Sequence, residues 1–338
     1  MAEVAIRVAV DAMGGDKAPE AVVEGAVSAI RNSPHPLGIV LTGPREIVEA
    51  ALSRLDAEDL PIETYDAPDV IGMSEAPAVA LKTKTRSSIH VGLGLCKAGA
   101  ADAFASAGNT GAVMAGAVTI LGRLPGVSRP TLPGYFPTPK GTCLVLDVGA
   151  NVDCKPEHLV QFARMGAVYA HLQFQRDDPS VGVLNVGEEP GKGNELAKTV
   201  YNLLSQAEGL NFIGNVEGRD IFSHRADVVV CDGFVGNALL KLGESMASLL
   251  PQLVGEQIQR DGRSDDQARL IGGTLRKALH RFDYENFGGV PLLGVNGIAI
   301  VGHGGSSPAA IEQMILRARE AAAMRLTERL TDALAVQA

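Results

Sequence analysis

The chain contains no tryptophan, and aromatic residues make up only 4% of its 338 residues. So few rings cannot furnish the stacking platform on which single-stranded nucleic acid is bound. Positive charge is short as well. Against 39 Asp and Glu stand 30 Lys and Arg, a formal net charge of −9, which argues against duplex DNA or any nucleic acid as partner. Cysteine is sparse: Cys96, Cys143, Cys154 and Cys231 form no CxxC pair, and a chain of this size needs no disulfide staples. A reduced, cytoplasmic protein is expected. Long apolar runs are missing too, since the longest, Ala112–Leu121, falls well short of the about 20 residues that span a bilayer. The first ten residues carry an early acidic residue and no cleavage-site pattern, so no signal peptide is expected.

Glycine is what the chain has in excess, 39 residues of 338, against an average of roughly 7%. Excess glycine with few aromatics suggests many tight turns and close backbone approaches to a small ligand. The length suits about two domains or one large one. Short apolar runs alternate with helical patterns almost from end to end. Expected strands are Ala5–Asp11, Gly38–Thr42, Ile62–Tyr65, Ala103–Ser106, Cys143–Asp147, Val181–Asn185, Asn211–Ile213, Val228–Cys231 and Ile298–Val301. Helical patterns between them include Pro19–Ile30, Arg45–Leu55, Ala78–Lys97, Glu157–Gln173 and Glu195–Gln206. This is the pattern of an α/β sheet built from βαβ units. The Pro/Gly-rich stretch Leu124–Lys140 reads as a crossover loop. After Gly236 the rhythm breaks into a helical insertion, 237–290. Its first helix, Asn237–Arg260, carries a stripe of Leu239, Leu242, Met246, Leu249 and Leu253, and Pro251 should kink or divide it. The insertion either packs on its own domain or serves as a subunit contact.

In an open α/β sheet, ligands bind beyond the carboxyl ends of the strands. Here those ends carry glycine with Asn, Asp or Ser. The first gives Asp11, Gly14 and Gly15; another gives Ser106, Gly108, Asn109 and Thr110; a third gives Lys192, Gly193 and Asn194 within GEEPGKGN. The later ends give Asn215, then Asp232 and Asn237, then His303. Glycine lets backbone N–H groups approach an anion, and a following helix N-terminus adds its dipole. Together these ends point to a polar pocket for a small anion, with Lys192 placed to bring its ammonium group onto a phosphate. The standard nucleotide signatures fail. GEEPGKG is one spacer short of a P-loop, and Gly92-Leu93-Gly94 lacks the third glycine of a dinucleotide fingerprint. Cys154 and His158, four apart, would be half a metal site with no second half, so no metal is expected.

The strings VAVDAMGGDKAPEAVVEGA, DAFASAGNTGAVMA, LDVGANVDCKPEHLVQFARMGAVYA, VGVLNVGEEPGKGNEL, FIGNVEGRD, DVVVCDGFVGNALLK and YENFGGVPLLGVNG resemble, in order, the bacterial phosphate acyltransferases of phospholipid synthesis, the PlsX family. The resemblance runs from about Val8 to Ser307. It implies transfer of a long-chain acyl group from acyl carrier protein to inorganic phosphate, giving acyl phosphate, without metal or organic cofactor. A membrane acyltransferase would then use that product to acylate glycerol 3-phosphate. The implied fold is a three-layer α/β/α Rossmann-like fold similar to the isocitrate dehydrogenase and phosphotransacetylase group. It would form one catalytic domain, 1–338, of two intertwined subdomains. The resemblance further implies a homodimer associated peripherally with the membrane. In that reading GEEPGKGN and AGNTG hold phosphate, Lys192 is its main cation, and Asn109, Asn194 or Asn215 donates to the thioester carbonyl. Asp11, Asp232 and Glu217 would orient donors. The basic cluster Arg269, Arg276, Lys277 and Arg281 would contact the acidic carrier or anionic lipid, with an apolar tip around Leu249–Val254. Acyl-coenzyme A as donor, and a non-catalytic scaffold binding carrier or membrane, are the alternatives.

Overall fold

The computed structural model of the chain describes residues 5–282, 285 and 287–335. The chain divides into two compact units. The first comprises Met1–Pro133, His171–Arg176 and Phe287–Ala338, and the second comprises Gly134–Ala170 and Asp177–Asn286. The first begins with β1 (Ile6–Asp11), α1 (Glu20–Asn32), β2 (Leu37–Gly43), α2 (Arg45–Ser53), β3 (Ile62–Asp66), α3 (Pro77–Thr83), α4 (Ser88–Lys97), β4 (Ala103–Ser106) and α5 (Thr110–Gly116). There follow β5 (Pro133–Thr138), β6 (Gly141–Leu146), α6 (Pro156–Phe174), β7 (Ser180–Leu184), α7 (Glu195–Ser205), β8 (Asn211–Val216), α8 (Gly218–Ser223), β9 (Val228–Val230), α9 (Gly233–Arg260) and α10 (Asp265–Leu279). The chain then returns to the first unit with β10 (Val290–Pro291), β11 (Ala299–Val301), α11 (Pro308–Ala323) and α12 (Leu326–Ala335).

Each unit is built on one sheet. The first has strand order β10-β11-β4-β1-β2-β3, parallel except for the β10–β11 pair, and the second has order β5-β6-β9-β7-β8. The central strands are apolar throughout because both faces are covered: Val8, Ala9, Val10, Val228, Val229 and Val230 are fully buried. Parallel pairing puts the carboxyl ends of β1, β4 and β11 side by side, with Val301 opposite Ser106 and Ala105 opposite Val10.

Several expectations need correction. The stretch read as a crossover loop contains strand β5, which holds Pro133 and Pro137, and β10 ends in Pro291. Both are edge strands, where a residue without an N–H breaks no ladder. The single helix expected over Ala78–Lys97 is two. Lys84 leaves helical geometry, and Ser87 starts α4 by accepting the His90 N–H on its hydroxyl, as serine does at a helix start. Pro251 does not divide α9, which runs unbroken for 28 residues from Gly233, not Asn237. The carbonyl that Pro251 leaves without its usual partner lies in a stretch open to solvent, where lacking an intrahelical bond costs little.

α9 and α10 bury almost nothing of their own. α10 has no buried residue, and the only buried residues of α9 are Gly233 and Gly236 in its first turn. Leu242, Met246, Leu249, Leu250 and Leu253 are exposed along α9, as are Leu270 and Ile271 on α10. The turn between the helices runs Asp261-Gly262-Arg263-Ser264 and is polar, and Ser264 and Gln267 cap α10 reciprocally. Leu249–Val254 therefore lies along the side of α9, not at the tip. Among the described residues, no helix is long and apolar enough to cross a membrane.

Candidate active site

In the first unit, the ends of β1, β4 and β11 meet in one cluster. Asp11, 2% exposed, accepts the Ser106 hydroxyl at 2.7 Å and the Met13 N–H at 3.1 Å. Burial pushes its carboxyl up from the usual carboxylate range, while these hydrogen bonds pull it back. Ser106 in turn accepts the Gly108 N–H at 3.0 Å. A side chain on Gly14 would stand 2.6 Å from the Asp11 carboxylate and 2.8 Å from the Gly108 nitrogen, so only glycine admits this packing. The loop after β11 closes over the same place. Gly304 accepts the Asp16 N–H at 2.8 Å, and Gly305 accepts the Lys17 ammonium at 3.1 Å. His303 is turned to its own loop, its Nδ1 accepting the Gly305 N–H. Gly15 lines the resulting narrow cleft with Lys17 and Gly304.

Asn109 is a structural keystone of this unit. Its oxygen caps α5 by accepting the Ala112 N–H, and its amide nitrogen donates to the carbonyls of Gly72, Met73 and Glu75 at 3.0–3.1 Å. A carboxamide so engaged has no donor left for a reacting oxyanion, so Asn109 shapes the loop. Its neighbour Thr110 is exposed in the first turn of α5. The same loop is braced by Glu75, whose carboxylate takes the Lys84 ammonium at 2.6 Å and is held below the usual range by it.

The second unit gathers another set. Asn185, at the end of β7, organises the loop that carries Lys192. Its Oδ1 accepts the Val186 N–H at 2.8 Å, and its Nδ2 donates to the Lys192 carbonyl at 3.0 Å. Gly193 follows with φ +89°, and a Cβ there would collide with the Asn185 side-chain oxygen. Asn215, 1% exposed, ties the loop from the other side by donating to the Glu189 carbonyl at 2.8 Å. The Lys192 ammonium is about half exposed and only 4.0 Å from the Glu189 carboxylate, a long surface pair of little strength. Two residues on, Asn194 caps α7 by accepting the Ala197 N–H. Its amide nitrogen makes no hydrogen bond among the described residues. Cation, helix N-terminus and spare amide donor thus follow one another within three residues.

Asp232 caps α9 by accepting the Val235 N–H, and Asn237 lies one turn on, with its side chain against Gly149. The fully buried Asp147 folds the loop below them, accepting both N–H groups of Ala150 and Asn151 and the Asn151 amide. Sequence reading places Asn185 and Asp147 at strand ends but gives neither a role in the site. Their signal is a carboxamide or carboxylate at a strand end, followed within a few residues by glycine.

A pocket of about 400 Å³ opens beside the Lys192 loop. Val183, Val230 and Leu159 are the most buried residues of its lining, and Asn185, Gly193, Asn194 and Asp232 line it with them. Cys231 also lines this pocket, but burial raises its thiol well above the ordinary value, and its hydrogen turns to the Asp147 carbonyl. Cys96 and Cys143 are pushed up to about 12, again by burial. None of these three thiols is poised as a thiolate nucleophile. The four basic residues expected to contact carrier or membrane, Arg269, Arg276, Lys277 and Arg281, lie on α10 and the turn after it, and Arg269 pairs with Asp266. Arg276, Lys277 and Arg281 make no ion pair among the described residues.

Comparison with known proteins places these loops in context. The family model described as "Fatty acid synthesis protein" matches residues 6–329. A phosphate acyltransferase of Salinibacter ruber is 52% identical over 330 residues, covering 97% of this chain and 98% of the relative. A phosphate acyltransferase of Chlorobaculum parvum is 50% identical, covering 96% and 98%. Among solved structures, a phosphotransacetylase from Streptococcus pyogenes matches with a TM-score of 0.58 at 18% identity, covering 99% of this chain and 95% of that one. The last likeness bears on the fold, an α/β Rossmann-like architecture.

Proposed function

The chain belongs to the fatty acid synthesis protein family, and we propose that within it this protein moves a long-chain acyl group from acyl carrier protein to inorganic phosphate. The observation that carries this reading is the succession Lys192–Gly193–Asn194 at the start of α7, which offers an exposed ammonium, free helix N–H groups and a carboxamide to one small anion. Phosphate displaces the weak Glu189 contact and lies between the Lys192 ammonium and the first turn of α7. A phosphate oxygen attacks the thioester carbonyl. The new C–O bond forms as the C–S bond breaks, and the carrier thiolate leaves and takes up a proton. The Asn194 amide faces the developing oxyanion. Phosphate is already an anionic nucleophile and a thiolate already leaves well, so positioning and charge compensation suffice. The acyl phosphate passes to a membrane acyltransferase.

The decisive assay is phosphate-dependent release of free carrier protein from a long-chain acyl carrier protein, with acyl phosphate trapped by hydroxylamine. Release that does not depend on phosphate refutes the reading. Turnover of acyl-coenzyme A in preference to the carrier would move the donor to the alternative. Because phosphate attacks directly, Cys231→Ser is expected to retain most of the activity. Acyl-enzyme trapped on Cys231 by rapid quench would show a covalent route instead.

The exposed stripe of α9 supports a second copy of this chain as its partner, giving a homodimer, with the polar hairpin turn at the edge of the contact. Arg276 and Lys277, which make no ion pair among the described residues, then form the docking face for the acidic carrier. Reversing both charges is expected to raise KM for acyl carrier protein several-fold, less so at high salt, with kcat unchanged. Loss of binding to anionic vesicles with unchanged solution kinetics would assign the face to the membrane.

A further inference from the structure

Resting on the acyl-transfer reading, we propose that the 400 Å³ pocket of the second unit holds the hydrocarbon tail of the acyl group, with the reacting carbonyl at its mouth beside Asn194. The pocket is graded from apolar to polar. Its most buried lining residues, Val183, Val230 and Leu159, are at most 2% exposed and bring no polar side-chain atom. Its sides are formed by Leu196 of α7 and Leu239 of α9, and its polar side chains are Asn185, Asn194 and Asp232. That gradient complements an amphiphile with a polar head and an apolar tail, and the Lys192 ammonium on the adjoining loop is the cation nearest in sequence to its mouth. A nucleotide would need hydrogen-bonding groups deep in the cavity, and the floor offers none.

Two further observations support this occupant. Val186 lines the pocket while 80% exposed, an apolar side chain that a bound hydrocarbon would cover. The floor is also closed. β7 and β9 pair directly there, with Val183 opposite Val230, and their ladder leaves no passage between them. A tail entering this pocket meets a fixed end, so the pocket measures chain length. Each methylene buried contributes about fourfold to affinity until that end is reached.

The test uses alkyl phosphates, which keep head and tail but carry no reactive carbonyl, each below its micellar concentration. Binding of dodecyl and hexyl phosphate to the full-length protein is measured by calorimetry for the wild type, Leu196→Phe and Leu239→Phe. Filling the cavity with a ring is expected to weaken dodecyl phosphate at least tenfold while changing hexyl phosphate less than threefold. Leu196→Ala, which widens the cavity, is expected to spare hexyl phosphate and alter only the longer chain. The two phenylalanine variants enter from different helices, so failure of one to fold leaves the other to decide. Equal effects on both chain lengths, or none in a folded variant, overturn the pocket assignment. Its failure and that of the reaction are separable: length-dependent binding without phosphate-dependent thiol release sinks the reaction, and release with unaltered length dependence in every variant sinks the pocket.

Discussion

Lys192→Ala lowers phosphate-dependent turnover at least tenfold, with the fold intact. The charge-assisted hydrogen bond it removes contributes about 1.5–3 kcal/mol, and about 1.4 kcal/mol is tenfold in rate. Little structure depends on the side chain itself. It is about half exposed, and its contact with Glu189 is 4.0 Å long. The backbone of residue 192, by contrast, is fixed by the Asn185 amide and is untouched by the change. Thermal unfolding of the variant is therefore expected to match the wild type within a degree or two. The loss should appear in kcat/KM for phosphate more than in KM for the carrier. Turnover at the wild-type level would remove Lys192 from the phosphate site.

Gly236→Ala is the substitution with the largest expected effect on folding. Its new methyl would overlap the Asp147 carbonyl oxygen, far inside van der Waals contact. The obstacle is backbone, so no rotamer relieves it. Moving the start of α9 would pull Gly233 from the Asn151 carbonyl and undo the loop that Asp147 folds. The cost is about 3 kcal/mol or more, at the upper end of overpacking effects. Gly255, in the same helix, has no atom within 4 Å of a built Cβ. There alanine gains helix propensity, about 1 kcal/mol. One helix thus contains two glycine-to-alanine changes of opposite sign. Thermal unfolding by circular dichroism should show Gly236→Ala well below the wild type and Gly255→Ala at or above it. A wild-type midpoint for Gly236→Ala would mean that α9 can slide along its seat.

The strand ends were readable because parallel strands covered on both faces leave unbroken apolar runs, each stopped by glycine and a short polar side chain. Val8–Asp11 and Val228–Cys231 announce themselves in that way. β5 and β10 did not, because prolines tolerated at a sheet edge look locally like loop. The break between α3 and α4 hung on one serine whose capping role depends on where the chain turns. Roles within the site were less legible still. Asn109 and Asn194 are both carboxamides before a helix, and nothing local distinguishes them. The difference arises from residues 72–75, which claim the Asn109 amide from more than thirty positions away. Lys192 could be singled out by its glycine neighbours, whereas Asn185 matters through contacts made only once the loop has closed.

The position of β11 bears on how the chain is made. It lies between β10 and β4, with Ala299 opposite Phe104, about 195 residues earlier. A ribosome releases the strands of the second unit while the first is still missing the neighbour of β4. Until Val301 emerges, β4 presents an unpaired apolar edge, fully buried in the finished protein, to any other nascent chain. The second sheet, whose strands all lie within one stretch of about a hundred residues, 133–230, can settle first. Synthesis therefore leaves the first sheet dependent on its last strand, and a chain stopped short of Ala299 is expected to be caught by chaperones or to aggregate through β4.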